Sequence, residues 1–221
     1  LKGINLDIHK GEKVLICGPS GCGKSTLFNC LNGLIPASYS GDATGELIIK
    51  GKSFKDLDIF SLSKITGTVL QDSDGQFIGL TVGEDIAFAM ENDNVQLNEM
   101  RERVIEAAKK VGIDSFLNHA PHELSGGQKQ RVSLAGVMVD NVEIFLFDEP
   151  LANLDPASGK KTIELIDQIY KDTGATIIIV EHRIEDVLHR SVDRVVLMGE
   201  GSIILDTTPD KLLSSDSLIK N

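Results

Sequence analysis

The sequence predicts an α/β fold: a mainly parallel sheet covered by helices on both faces, with an N-terminal antiparallel β portion and an inserted helical subdomain. Three observations lead there. Apolar runs of strand length alternate with amphipathic stretches of helix length, the pattern of parallel strands joined by crossover helices. A glycine-rich loop stands between one such run and the helix after it. Between residues 72 and 124 the alternation stops and helical periodicity takes over. At 221 residues the chain is long enough for one large domain or a core with a smaller appendage. The expected division is a core of residues 1–71 and 125–221 with a helical subdomain at 72–124.

In chain order, residues 3–9 alternate, with Ile4, Leu6 and Ile8 apolar, and Lys10-Gly11 turns the chain into the buried run 14–17. Both read as strands. Residues 24–34 carry Leu27, Leu31 and Leu34 at helical spacing, with Gly33 and Pro36 as stop signals. Short strands are expected at 45–51 and 65–70. Thr81 caps a helix running to Met90. Leu97, Met100, Val104, Ala107, Ala108 and Val111 then form an apolar stripe, with Glu99/Arg103 and Glu106/Lys110 as i,i+4 pairs. Beyond Leu124 the spacing predicts helices at 128–139, 156–171 and 184–190, and strands at 144–147, 176–180, 194–198 and 202–205. No internal repeat is present.

Composition removes several classes. Hydrophobic residues make up 41% and charged residues 25%, with Gly 21 and Pro 6, which excludes collagen-like, low-complexity and wholly disordered chains. Lys and Arg number 22 against 33 Asp and Glu, a net charge of −11 that repels the backbone of nucleic acids and anionic lipid alike. No nucleic-acid partner and no direct lipid binding are expected. The apolar runs 144–147 and 177–180 fall far short of the roughly 20 residues of a spanning helix. Cys17, Cys22 and Cys30 lack metal-ligand spacing and suit a reducing cytosol. No signal-peptide pattern is seen, and the start at Leu1 rather than Met is expected of an excised or processed piece.

Gly18-Pro19-Ser20-Gly21-Cys22-Gly23-Lys24-Ser25 matches the phosphate-loop pattern G-x-x-x-x-G-K-[ST], after a predicted strand and at the start of a predicted helix. This makes the core a P-loop NTPase core. Backbone N–H groups of such a loop surround phosphates, and the helix start adds about half a positive charge. Lys24 reaches the β- and γ-phosphates, and Ser25 offers its hydroxyl to Mg²⁺. Cys22 occupies a variable position of the motif and is read as filler, with oxidation sensitivity as the alternative.

The run Ile144-Phe145-Leu146-Phe147-Asp148-Glu149 is a buried strand that delivers two carboxylates to its C-terminal edge, where open α/β sheets place ligands. Asp148 is positioned to hold Mg²⁺, and Glu149 to orient and deprotonate a water for in-line attack on the γ-phosphate. Taken alone, such a pair also serves as a turn or helix cap.

Leu124-Ser125-Gly126-Gly127-Gln128 is a second anion-seeking surface, a hydroxyl and small-residue amides opening a helix. With this stretch the chain resembles the nucleotide-binding subunit of ATP-binding cassette (ABC) transporters, over essentially its whole length. The resemblance implies that Gly18 to Ser25, with Thr26, bind ATP, and that Ser125, Gly126, Gly127 and Gln128 close on the ATP of an opposing cassette. It implies that Gln71 senses Mg²⁺ and the attacking water, that Asp155 crosses the dimer interface, and that His182 touches the γ-phosphate. His9, His119, His122 and His189 are read as structural or surface residues. Family members carry an adenine-stacking aromatic several positions before the strand equivalent to residues 3–9, and none of the 221 residues corresponds to it.

Gln71-Asp72-Ser73-Asp74-Gly75-Gln76-Phe77 followed by Thr81-Val82-Gly83-Glu84-Asp85-Ile86-Ala87-Phe88 is similar to the ATPases of energy-coupling-factor (ECF) importers, which take up vitamins and transition-metal ions; Ser73 stands where proline is common. Glu181-His182-Arg183-Ile184-Glu185-Asp186-Val187 is similar to the first half of importer ATPases that fuse two cassettes. The resemblance thus implies an ATPase on the cytoplasmic face of the membrane, paired with a second cassette and a transmembrane subunit. Two alternatives stay open: a nucleic-acid-maintenance cassette and the soluble cassette of iron-sulfur assembly. The short 71–124 segment leaves no room for a long coiled coil, which counts against the first.

Overall fold

The computed structural model describes residues 1–39, 42, 44–71 and 74–214. Of the expectations above, those for Asp72, Ser73 and the C-terminal residues lie outside the described residues.

In chain order the elements are β1 (Lys13–Cys17), α1 (Lys24–Leu31), α2 (Leu34–Ala37), β2 (Ile48–Ile49), β3 (Lys52–Ser53), α3 (Ile59–Ser63), β4 (Thr66–Val69), α4 (Val82–Asn92) and α5 (Leu97–Val111). Then follow α6 (Gly126–Met138), β5 (Ile144–Asp148), α7 (Pro156–Thr173), β6 (Thr176–Val180), α8 (Ile184–Leu188), β7 (Arg194–Gly199), β8 (Ser202–Thr207) and α9 (Pro209–Leu213). The main sheet runs β4-β5-β6-β1-β7-β8. Every pairing in it is parallel except β7 with β8. The antiparallel β portion expected early in the chain is the hairpin β2–β3, closed at Lys50-Gly51 with φ of 53° and 75°. Two positive φ values at the turn suit the right-handed twist of a hairpin.

The central strands are buried along their whole length, as parallel strands sandwiched by helices must be. Their side chains alternate between two apolar clusters. Leu15, Phe145, Phe147, Ile177 and Ile179 join the cluster built with α4 to α8. Val14, Ile16, Leu146, Ile178 and Val180 join Leu27 and Phe28 of α1 on the opposite face. Each fully buried Val, Ile, Leu or Phe contributes about 1.5–3 kcal/mol. The stripe expected on α5 is buried at Met100, Val104, Ala107, Ala108 and Val111, and α4 and α5 pack on α6. The capping box of Thr81 and Glu84 starts α4, and Gly112 at φ 69° ends α5.

Three expectations are corrected. Residues 3–9 form no strand, although Ile4, Leu6 and Ile8 do pack inward on the α1 side of the sheet. Alternation reports which side chains are buried; it does not supply a ladder partner. The helix from Lys24 ends at Leu31, because Gly33 at φ 85° breaks it before Leu34 begins a separate short element. The strand expected over 45–51 shrinks to Ile48–Ile49.

Candidate functional site

Strand register brings the site residues to one edge. Asp148 of β5 stands beside Val180 of β6, and Val180 beside Ile16 of β1. One residue further on, the N–H of Glu149 donates to the Val180 carbonyl at 2.8 Å and that of Glu181 to the Ile16 carbonyl at 3.0 Å. Three neighbouring parallel strands therefore release Gly18, Glu149 and Glu181 together at their C-terminal ends, where open α/β sheets hold ligands.

The loop from Gly18 to Gly23 bends sharply. Gly18 has φ 149°, and a Cβ there would sit 2.2 Å from the carbonyl oxygen of Met198, so only glycine fits against β7. Lys24 is buried; its Nζ donates to the carbonyls of Gly18 at 2.8 Å and Pro19 at 3.1 Å. An ammonium has three donors, so one remains for a ligand oxygen. Ser20, Gly21, Lys24, Ser25, Thr26 and Glu149 line one cavity. Cys22 is buried and packs with Leu27 and Phe28. Burial pushes the Cys17 thiol up to about 11, which leaves it an unreactive core residue.

Asp148 is 9% exposed, and its Oδ1 is buried with no hydrogen-bond partner. Burial, with Glu149 alongside, pushes its carboxyl up to about 6 against the pull of Lys24. An unpartnered buried carboxylate oxygen on a side chain that feels the charge of Lys24 suits a divalent cation, so the residues present fit Mg²⁺. No cluster of three or more His, Cys, Asp or Glu able to hold a metal exists among the described residues, which suits Mg²⁺, an ion that keeps several waters beside one or two carboxylates and phosphate oxygens.

Glu149 has φ 46°, in the left-handed region. Gln71 Nε2 donates to its Oε2 at 3.1 Å, and His182 Nδ1 lies 3.6 Å from the same oxygen. The structure thus brings Gln71, Glu149 and His182 together. Glu181, for which the sequence suggests no role, is fully buried, with Oε1 3.2 Å from His182 Nδ1.

The segment opening α6 lies elsewhere. Ser125 caps the helix through Gln128 N–H, and the Gln128 side chain accepts from Ser125 N–H at 2.8 Å. A Cβ on Gly127 would lie 3.2 Å from Ser158 Oγ, so these residues adjoin the start of α7 in their own chain. Asp155 caps α7 by accepting from Ala157 and Ser158 N–H, both at 3.0 Å, and the Ser158 bonds hold its carboxyl below the usual range. The loop of Lys24 and the surface of Ser125 thus lie apart on the chain.

A strand–loop–helix phosphate site beside an acidic strand end, in this sheet order, defines a P-loop ATPase. The ABC transporter family model matches residues 1–152, and the chain belongs to that family as an ATP-binding cassette. It is 61% identical over 218 residues to PBPRA2240 of Photobacterium profundum, named as an ABC transporter ATP-binding protein, covering 99% of this chain and 39% of that one. A protein of the same description from Streptococcus pneumoniae is 59% identical, covering 100% and 40%. The chain thus spans about two fifths of the length of these curated relatives. Among solved structures it is similar to CbiO1 of Clostridium perfringens, part of the ABC transporter complex cbiONQ, at TM-score 0.87 and 36% identity over 100% of this chain and 86% of that one. It is also similar to the dimeric cassette MJ0796 in a post-hydrolysis state with ADP and Pi, at TM-score 0.81 and 31% identity, covering 94% and 90%. No helix among the described residues is long and apolar enough to cross a membrane.

Proposed function

We propose that this cassette binds and hydrolyses Mg²⁺-ATP to power a membrane transporter, of the ECF type that imports a vitamin or a transition-metal ion. The observation that carries the reading is the convergence of Lys24, the unpartnered Asp148 and the Gln71–Glu149–His182 group on one sheet edge. Gly18, Pro19, Ser20, Gly21, Cys22, Gly23 and Thr26 surround the phosphates, and Lys24 turns its remaining donor to the β- and γ-oxygens. Ser25, Gln71 and Asp148 hold the metal; when bound, Mg²⁺ supplies positive charge to the phosphate oxygens. Glu149 accepts the proton of the attacking water, with its carboxylate aimed by Gln71 and His182.

Ser125, Gly126, Gly127, Gln128 and Asp155 serve the nucleotide of a second cassette, since their surface adjoins the start of α7 rather than the cavity over their own loop. We assign residues 72–124 to a helical subdomain on the core of 1–71 and 125–221. A helix of a transmembrane subunit docks near Gln71 and Phe77; Leu80, 82% exposed, and Ile78 offer apolar surface beside them. The cassette therefore works at the cytoplasmic face of the membrane, held there by protein, with no nucleic-acid partner. The likeness to CbiO1 supports the ECF reading.

Mixing experiments test the two-chain site. Lys24→Ala and Ser125→Ala variants, each inactive alone, should recover a fraction of wild-type ATPase when combined, because one intact composite site re-forms. Full hydrolysis by a strictly monomeric species, at a rate per chain independent of concentration, refutes it.

A further inference from the structure

Glu181 is fully buried directly after β6, yet its side chain is a carboxyl, and it lies close to the carboxyl of Asp148. A position that only had to fill space would carry an apolar residue, since burying a carboxylate demands compensating donors. Its donors are specific. Oε1 accepts from the N–H groups of His182 at 2.9 Å and Arg183 at 3.2 Å, and Oε2 accepts from the N–H of Leu151 at 3.3 Å. The Arg183 guanidinium donates through Nη2 to the Leu151 carbonyl. Both backbone polar groups of the buried Leu151 are thus held by residues on either side of His182.

Leu151 lies two residues after Glu149, whose left-handed backbone is a conformation that persists only where the surroundings over-determine it. The surroundings here are the Glu149 N–H bond to Val180, the Ala152 N–H bond to the Glu149 carbonyl at 2.9 Å, and the grip on Leu151.

We propose that Glu181 is a positioning residue for hydrolysis: with Arg183 it clamps Leu151 and so fixes Glu149 relative to His182. The proposal rests on the assignment of Glu149 as proton acceptor. Misplacing a reacting group by about 1 Å costs on the order of 10²-fold in rate.

The test uses the full-length chain with steady-state ATPase kinetics, ATP affinity and melting curves. Glu181→Gln keeps the size but replaces one acceptor oxygen with an NH₂ that cannot accept from an N–H. It is expected to lower kcat by about 10²-fold while KM and ATP affinity move by less than about 3-fold. Because the clamp acts through Glu149, adding Glu181→Gln to Glu149→Gln should lower the rate no further. Arg183→Met, at a partly exposed side chain, should show the same split and the same non-additivity, with partial rescue in Arg183→Lys. It decides the matter if Glu181→Gln does not fold. Wild-type kcat in the folded variants, or losses that multiply with that of Glu149→Gln, overturn the proposal. If Glu149→Gln itself leaves the rate intact, the assignment of the proton acceptor falls; if it is inactive while Glu181→Gln and Arg183→Met are not, only the clamp falls.

Discussion

Replacing Asp148 by Asn should change the pH dependence of stability in a calculable way. The folded-state pKa of Asp148 is about 6, against 3.8 for the free side chain. A shift of about 2 units corresponds to about 3 kcal/mol. Since the folded state binds the proton more tightly, this stabilisation is complete below about pH 4 and is lost as pH rises through 6. Between pH 8 and pH 5 the wild-type protein therefore regains somewhat under half of it, on the order of 1 kcal/mol. Asn carries no charge at either pH and gains nothing from this source. Any fixed cost of the buried amide cancels when the two pH values are compared. Urea unfolding without metal or nucleotide, at unit steps of pH from 5 to 8, reads the difference. The wild type should gain about 1 kcal/mol on the variant toward pH 5, or about 2–4 °C in melting temperature for a chain of this size. Parallel pH profiles would refute the buried, charge-crowded description of this strand end.

Glu149→Gln should lower hydrolysis by about 10²- to 10⁴-fold while ATP still binds, and unlike the defect of Asp148→Asn its defect should not ease at high Mg²⁺; identical Mg²⁺ dependence in the two variants would sink the division of roles. Asp167→Ala strips the partner 3.0 Å from the fully buried Lys13 and should cost about 3–5 kcal/mol in urea unfolding, whereas Lys13→Met with Asp167→Leu should restore most of it. At physiological salt the chain, at net charge −11, should not sediment with protein-free anionic vesicles; strong co-sedimentation would contradict recruitment through a protein partner.

Where local pattern and tertiary demand coincide, the sequence was enough. The stripe from Met100 to Val111 is helical because its apolar spacing matches the face that α6 covers. The placement of Lys24, Asp148 and Glu149 at the strand ends was legible because a phosphate loop and an acidic strand end have fixed local spacing. Residues 3–9 misled because alternation measures burial, and their inward side chains pack without a ladder. Glu181 was invisible for the opposite reason: an acid closing an apolar run looks like a turn residue until its partner, the Leu151 N–H thirty residues upstream, is in view.

The position of β1 in the middle of the sheet has a consequence for biosynthesis. Val14 pairs beside Ile178 on one side and Arg194 on the other, so β1 finds both of these neighbours far later in the chain. At about 5–20 residues per second of translation, the apolar run Lys13–Cys17 waits on the order of ten to thirty seconds for β6. Throughout that interval the phosphate loop has no anchored upstream end. Such long-range closure is slow, and a nascent chain exposing this run is a substrate for holding chaperones until residue 199 has cleared the ribosome. Truncations that stop short of β7 would therefore be expected to lose nucleotide binding while still containing the phosphate loop and both carboxylates of the acidic strand.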